Sequence, residues 1–246
     1  AGTTNGSSGI DCGGTLSIGG NATVNATGGS AGVTCGIYSD DVRVTGGVTV
    51  ATGGTASGSA LTSYGISISS FGDATVTTTG GVLVARAGSG TTAKAINGTL
   101  TTTGTQIAGQ VVGGAFKDSS VAYDEDATAL AIVPSSYTVQ NTKLTEDGVT
   151  EYTINTDTAV VVPGSADSDI PLTLSSAGGT VTLTEDLVLI NLQGKNYTPA
   201  LELGGASNIA VTVNGSGTLT AIGAANKDYS YGIVGLYRGG FSVNGA

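Results

Sequence analysis

The 246-residue chain predicts an all-β fold: a right-handed parallel β-helix (β-solenoid) with an irregular acidic β insertion in the middle. Three observations carry this prediction. Two glycine-marked anchors recur at about one coil's length, the apolar period inside each repeat is two, and the composition suits short strands joined by tight turns.

The first anchor is a glycine pair that closes an alternating run. It occurs at Gly28-Gly29, Gly53-Gly54 and Gly80-Gly81, then degrades to Gly104, so the first glycines lie 25, 27 and 24 residues apart. The second anchor is glycine followed by isoleucine, at Gly9-Ile10, Gly36-Ile37 and Gly65-Ile66, with Ala95-Ile96 in the fourth place. Repeats of this length are units that cannot bury an apolar face alone and therefore stack. Propeller blades need about 40 residues and periodic aromatics; here aromatics make up 5% of the chain.

Within each unit Leu16 and Ile18, Val42 and Val44, Val48 and Val50, and Ala74 and Val76 alternate with Ser, Arg or Thr. That is the pattern of half-buried strands. No stretch places apolar residues three and four apart for the length of a helix. Parallel strands stacked at about 4.8 Å put Ile10, Ile37, Ile66 and, near the other end, Ile233 on inward ladders. The right hand follows the crossover bias of parallel strands.

Residues 1–116 read as regular coils and residues 187–246 as further coils, the latter carrying Leu201/Leu203, Val211/Val213 and the anchor Gly232-Ile233. Between them, residues 117–186 hold twelve of the eighteen acids and three of the four prolines. Asp147-Gly148 between two alternating runs reads as a hairpin turn. This middle segment is expected to be irregular and packed on the solenoid.

The net charge of −10 disfavours nucleic acid and anionic membrane surfaces, and no apolar run is long enough to span a bilayer. Histidine is absent, which removes the commonest general base and metal ligand. The chain starts at Ala1 and reads as a mature or excised piece of something larger.

Candidate chemistry is sparse. Asp40, Asp41 and Arg43 form the tight mixed cluster of the regular coils, with Arg86 two coils on, and a β-helix lyase or hydrolase would need such carboxylates to converge. As sequence neighbours, Asp40 and Asp41 are expected on opposite sides of a solvated turn. The stretches Tyr123–Thr128 and Ser165–Asp169 offer paired aspartates to calcium, without a complete cation loop. Otherwise no cofactor is expected. Cys12 and Cys35 are disulfide candidates: the glycine pair puts them two positions apart, whereas the Gly-Ile anchor puts them four apart. A bond and a pair of buried thiols both stay open. Tyr229, Tyr231 and Tyr237 cluster near the end of the chain, where exposed rings could stack on sugars.

The stretches "SGIDCGGTLSIGG", "YGISISS" and "TPALELGGASNIAVTVNGSGTLTA" resemble coils of right-handed β-helix repeats. Such repeats occur in large secreted or wall-attached, adhesin-like or carbohydrate-binding-like proteins of gut-type Gram-positive bacteria. The resemblance covers about residues 8–109 and 187–246 and implies the fold and an extracellular or cell-surface location. It brings no functional residues with it. The expected role is a non-catalytic structural or adhesive module, with a carbohydrate-binding module and a polysaccharide lyase or hydrolase as alternatives. The expected partners are copies of itself stacked end to end as a filament, neighbouring repeat units of a larger chain, or glycans. The tail-to-head join supports this: Ile233 and the next copy's Ile10 would lie 23 residues apart, close to the 27 and 29 between Ile10, Ile37 and Ile66.

Overall fold

The computed structural model describes residues 6–58, 61–69, 74–142, 144–146, 151–154, 159–162, 170–174, 179–192, 199–203, 210–224, 231–235 and 240–245. Among them there is no helix, and the strands stack in parallel as a β-solenoid. The chain divides into two units, Ala1–Ser135 and Ser136–Ala246.

The first unit begins with β1 (Gly6–Ile18), β2 (Thr23–Thr27) and the short β3 (Ser30–Ala31). The next coil, β4 (Val33–Thr52) and β5 (Thr55–Ala56), lies parallel on it, and β6 (Thr62–Ile68) and β7 (Thr75–Arg86) lie parallel on that. The shorter β8 (Thr92–Asn97) and β9 (Thr99–Thr102) cover β6 and β7 in turn. The register aligns Ile10, Ile37, Ile66 and Ile96 in one ladder and Leu16, Val42, Val76 and Leu100 in another. Ile37, Val42, Ile66 and Val76 are completely buried. Each such side chain contributes about 1.5–3 kcal/mol of burial free energy.

The glycine before each isoleucine has a steric cause. A Cβ on Gly36 would lie 2.5 Å from the backbone nitrogen of Thr52, and one on Gly65 would lie 2.6 Å from that of Arg86. The coil is pinched there, and only a bare backbone passes. Ala95 is accepted in the fourth coil because the chain no longer completes the opposite wall with a parallel strand.

Instead the chain reverses. β10 (Thr105–Val112) turns through Gly113-Gly114, both at positive φ, into β11 (Ala115–Asp118). β12 (Ala127–Pro134) then runs antiparallel to both β10 and residues 83–86 of β7. Leu130 and Ile132 enter the core buried, with Ile107 and Tyr123 packed against it. This antiparallel meander closes the stack, whereas the sequence reading expects parallel coils as far as residue 116.

The second unit winds β13 (Thr138–Gln140), β14 (Leu144–Glu146) and β15 (Glu151–Ile154), then β16 (Ala159–Val161), β17 (Leu172–Leu174) and β18 (Gly179–Leu183). β19 (Leu187–Ile190), β20 (Leu201–Leu203) and β21 (Ala210–Gly215) follow, then β22 (Leu219–Ile222), β23 (Ile233–Gly235) and β24 (Gly240–Gly245). Every third strand pairs in parallel, which makes three four-stranded sheets among the described residues. Ile233 continues the register of Leu172 and Leu201 and so belongs to a different ladder from Ile10.

The acidic middle is therefore corrected. Asp147-Gly148 lies outside the described residues, but its flanking strands pair with β17 and β18 and not with each other. From Thr138 onward the described residues of the segment form parallel coil strands. Asp186 marks a corner: in the turn before β19 it accepts the backbone N–H of Thr218 at 2.8 Å on the coil above. The antiparallel departure falls earlier, at residues 105–134, where the chain reverses at Gly113-Gly114.

Candidate functional site

The sequence-predicted clusters are placed as follows. Asp40 accepts the Ser69 hydroxyl at 2.7 Å and Asp41 accepts the Thr75 N–H at 2.9 Å. Both carboxylates thus bind residues of the coil above. Arg43 is exposed and stacks over Thr77, whereas Arg86 is buried and pairs with Thr52 on another wall. These residues do not converge. Burial holds the Arg86 guanidinium down at about 10.

Cys12 sits opposite Ser39, and Cys35 sits opposite Ser8, with Ser8 Oγ 3.4 Å from Cys35 Sγ. Both cysteines are free thiols, which corrects the Cys12–Cys35 disulfide candidate: four positions out of register cannot be bridged. Cys35 is buried but Cys12 is half-exposed. Tyr229, Tyr237 and the stretch Ser165–Asp169 lie outside the described residues. Tyr231 is 40% exposed just before β23.

A concavity lies where the first unit's parallel stack ends, a cleft of about 490 Å³. Lys94, Ile96 and Asn97 of β8 line it, continued by Gly98 and by Thr99 and Leu100 of β9. Tyr123 and Glu125 line it from the connection between β11 and β12. That connection is fixed from beneath by Gln110, a completely buried residue of β10. Gln110 Nε2 donates to the Ala122 carbonyl at 2.7 Å and its Oε1 accepts the Asp124 N–H at 3.0 Å. Asp124 accepts the Asp126 N–H at 2.9 Å, and Asp126 pairs with the Lys94 ammonium at 2.9 Å.

The electrostatics are lopsided, with three carboxylates (Asp124, Glu125, Asp126) beside one ammonium. The Lys94 pKa is raised, first by its hydrogen bond to Asp126. The Tyr123 phenol is pushed up to about 12, chiefly by burial and then by the charges of Glu125, Asp124 and Asp126. Its hydroxyl is buried and finds no hydrogen-bond partner among the described residues. The sequence offers Tyr123–Thr128 to calcium. Here Asp124 serves a turn and Asp126 an ion pair, and among the described residues no three His, Cys, Asp or Glu gather as a metal site.

Sequence reasoning missed Lys94, Asn97 and Gln110. Gln110 was legible only as a polar residue inside the apolar run Ile107–Val112. Comparison with protein-family models, with curated proteins and with solved structures gives no match for this chain.

Proposed function

We propose that the protein is a non-catalytic structural and adhesive module of an extracellular fibre or cell-surface repeat protein, stacking end to end on copies of itself or on neighbouring repeat units. The observation that carries this reading is the half-open end of the core at β1. Ile10, Leu16 and Val24 continue inner ladders whose next members are buried, yet are themselves only partly covered. Among the described residues β1 and β2 pair only with β4. Such an end exposes unpaired backbone groups and an apolar cross-section at once, and an added strand satisfies both. A heterologous contact of this kind propagates as a fibre. The extracellular setting is proposed on the repeat resemblance.

Sedimentation and electron microscopy over a range of concentrations test this. Linear assemblies that disperse on Ile10→Lys support it; a concentration-independent monomer with intact strand signal overturns it.

A glycan-binding reading has one supporting observation, the exposure of Tyr231. It predicts saturable binding on a glycan array that is lost on Tyr231→Ala. The lyase or hydrolase reading draws no support from Asp40 and Asp41, whose oxygens are engaged by Ser69 and Thr75.

A further inference from the structure

We infer that the cleft over β8 and β9 is a docking groove for an extended, basic peptide segment that adds as a strand to the closed end of the first unit. β8 is hydrogen-bonded on one side only, to β6, and β9 only to β7, among the described residues. In every earlier coil the equivalent edge carries the next strand, in the register Ile10, Ile37, Ile66, Ile96. The cleft follows this edge from Lys94 to Leu100, so its volume occupies the place where a fifth strand would lie.

A whole solenoid cannot dock there. β12 crosses the third wall antiparallel, and Leu130 and Ile132 already fill the core beneath it. A single strand has no such obstacle. Its repeating N–H and C=O groups meet the unpaired groups of the edge, a match that the scattered hydroxyls of a sugar do not provide. Lysine on an edge strand usually blocks additions of this kind. Here Asp126 holds the Lys94 ammonium at 2.9 Å, which neutralises it.

The charge of the rim selects the segment. With Lys94 and Asp126 paired, Asp124 and the exposed Glu125 are left in excess, and Glu125 lines the cleft directly. Lysine or arginine side chains on the incoming strand complement them. Asn97 adds an acceptor: its Nδ2 donates to Ser67 at 3.2 Å, which leaves Oδ1 to accept from the incoming strand. This site is separate from the open end at β1 and does not depend on end-to-end stacking.

The test is fluorescence anisotropy of the whole chain with a library of labelled seven-residue peptides that alternate valine or threonine with lysine at varied positions. The expected result is saturable binding by basic members, weakened about ten-fold by Glu125→Lys. Peptides N-methylated at alternate residues should bind no longer, and hydrogen exchange across Thr92–Thr102 should slow on binding. No saturable binding by any member up to millimolar peptide, equal binding by N-methylated peptides, or preference for a neutral sugar panel overturns the inference.

Discussion

Asp41 Oδ1 lies 2.9 Å from the backbone nitrogen of Thr75, a bond that spans 34 residues and ties one coil to the next. Its neighbour Asp40 does the same for Ser69 at 2.7 Å. A carboxylate that satisfies a backbone N–H at a coil corner is structural. Asp41→Ala should therefore lower unfolding stability by about 1–2 kcal/mol, read from denaturant midpoints at constant slope. Release of sugar from any glycan by the wild-type protein, abolished in this variant without a stability change, would reverse the assignment.

The pinch between walls makes a sharper prediction. Gly36→Ala forces a Cβ to 2.5 Å from Thr52 N and 2.8 Å from Ala26 O. Backbone cannot yield there, so the variant should lose about 3 kcal/mol or more or fail to fold. Ala95→Gly, at the same place in the last coil, should cost only about 1 kcal/mol. Equal costs would show that the pinch is absent.

How much of this was legible depends on which glycine is meant. The Gly-Ile anchor marks the pinch and aligns the coils in the observed register. The glycine pairs mislead, because two corners use them: Gly80-Gly81 matches Gly46-Gly47, whose second glycines have φ of +73° and +72°, while Gly53-Gly54 lies against Gly28-Gly29 and Gly88. Composition cannot separate a turn needing positive φ from one needing close approach. That confusion produced the conflicting placements of Cys12 and Cys35. The cap at residues 105–134 was hidden for another reason: its alternation matches that of a coil, and only the pairing direction differs. The cleft was invisible because Lys94, Tyr123 and Glu125 meet through that reversal.

Thiol chemistry follows from the register. Cys35 is buried, with its pKa raised by that burial, and Cys12 is half-exposed. A thiol-specific reagent should label Cys12 quickly in the native protein and Cys35 only after unfolding. Intact mass should be unchanged by reductant. A mass increase on reduction, matching one disulfide, would contradict the observed register.

Thr49 is completely buried on β4, opposite Val24 and Leu83, and its hydroxyl has no hydrogen-bond partner among the described residues. An unsatisfied buried hydroxyl costs about 1–3 kcal/mol. Thr49→Val, which keeps the shape and removes the polar atom, should raise the thermal midpoint. A lowered midpoint would mean that the hydroxyl is satisfied in solution.

Tyr123 sets the behaviour of the capped end at high pH. Burial first, then Glu125, Asp124 and Asp126, push its phenol up to about 12 from the usual 10. The folded state therefore favours the neutral form. The stabilisation is fully present below pH 10, where the unfolded chain also keeps its proton, and is lost as pH rises from 10 through 12. Lys94 acts in the same direction, since its raised pKa makes its pairing with Asp126 stabilising below the ordinary lysine range and lost above it. Tyr123→Phe removes the phenol and leaves the lysine pair. Its stability near neutrality should equal or exceed wild type, because the hydroxyl it deletes is buried without a partner among the described residues. Its decline between pH 10 and 12 should be shallower. Denaturant titrations across that window, with tyrosinate absorbance to follow ionisation, measure both slopes. Superimposable pH profiles would mean that the Tyr123 phenol ionises in the folded cap as easily as in water, and that the cap is open there.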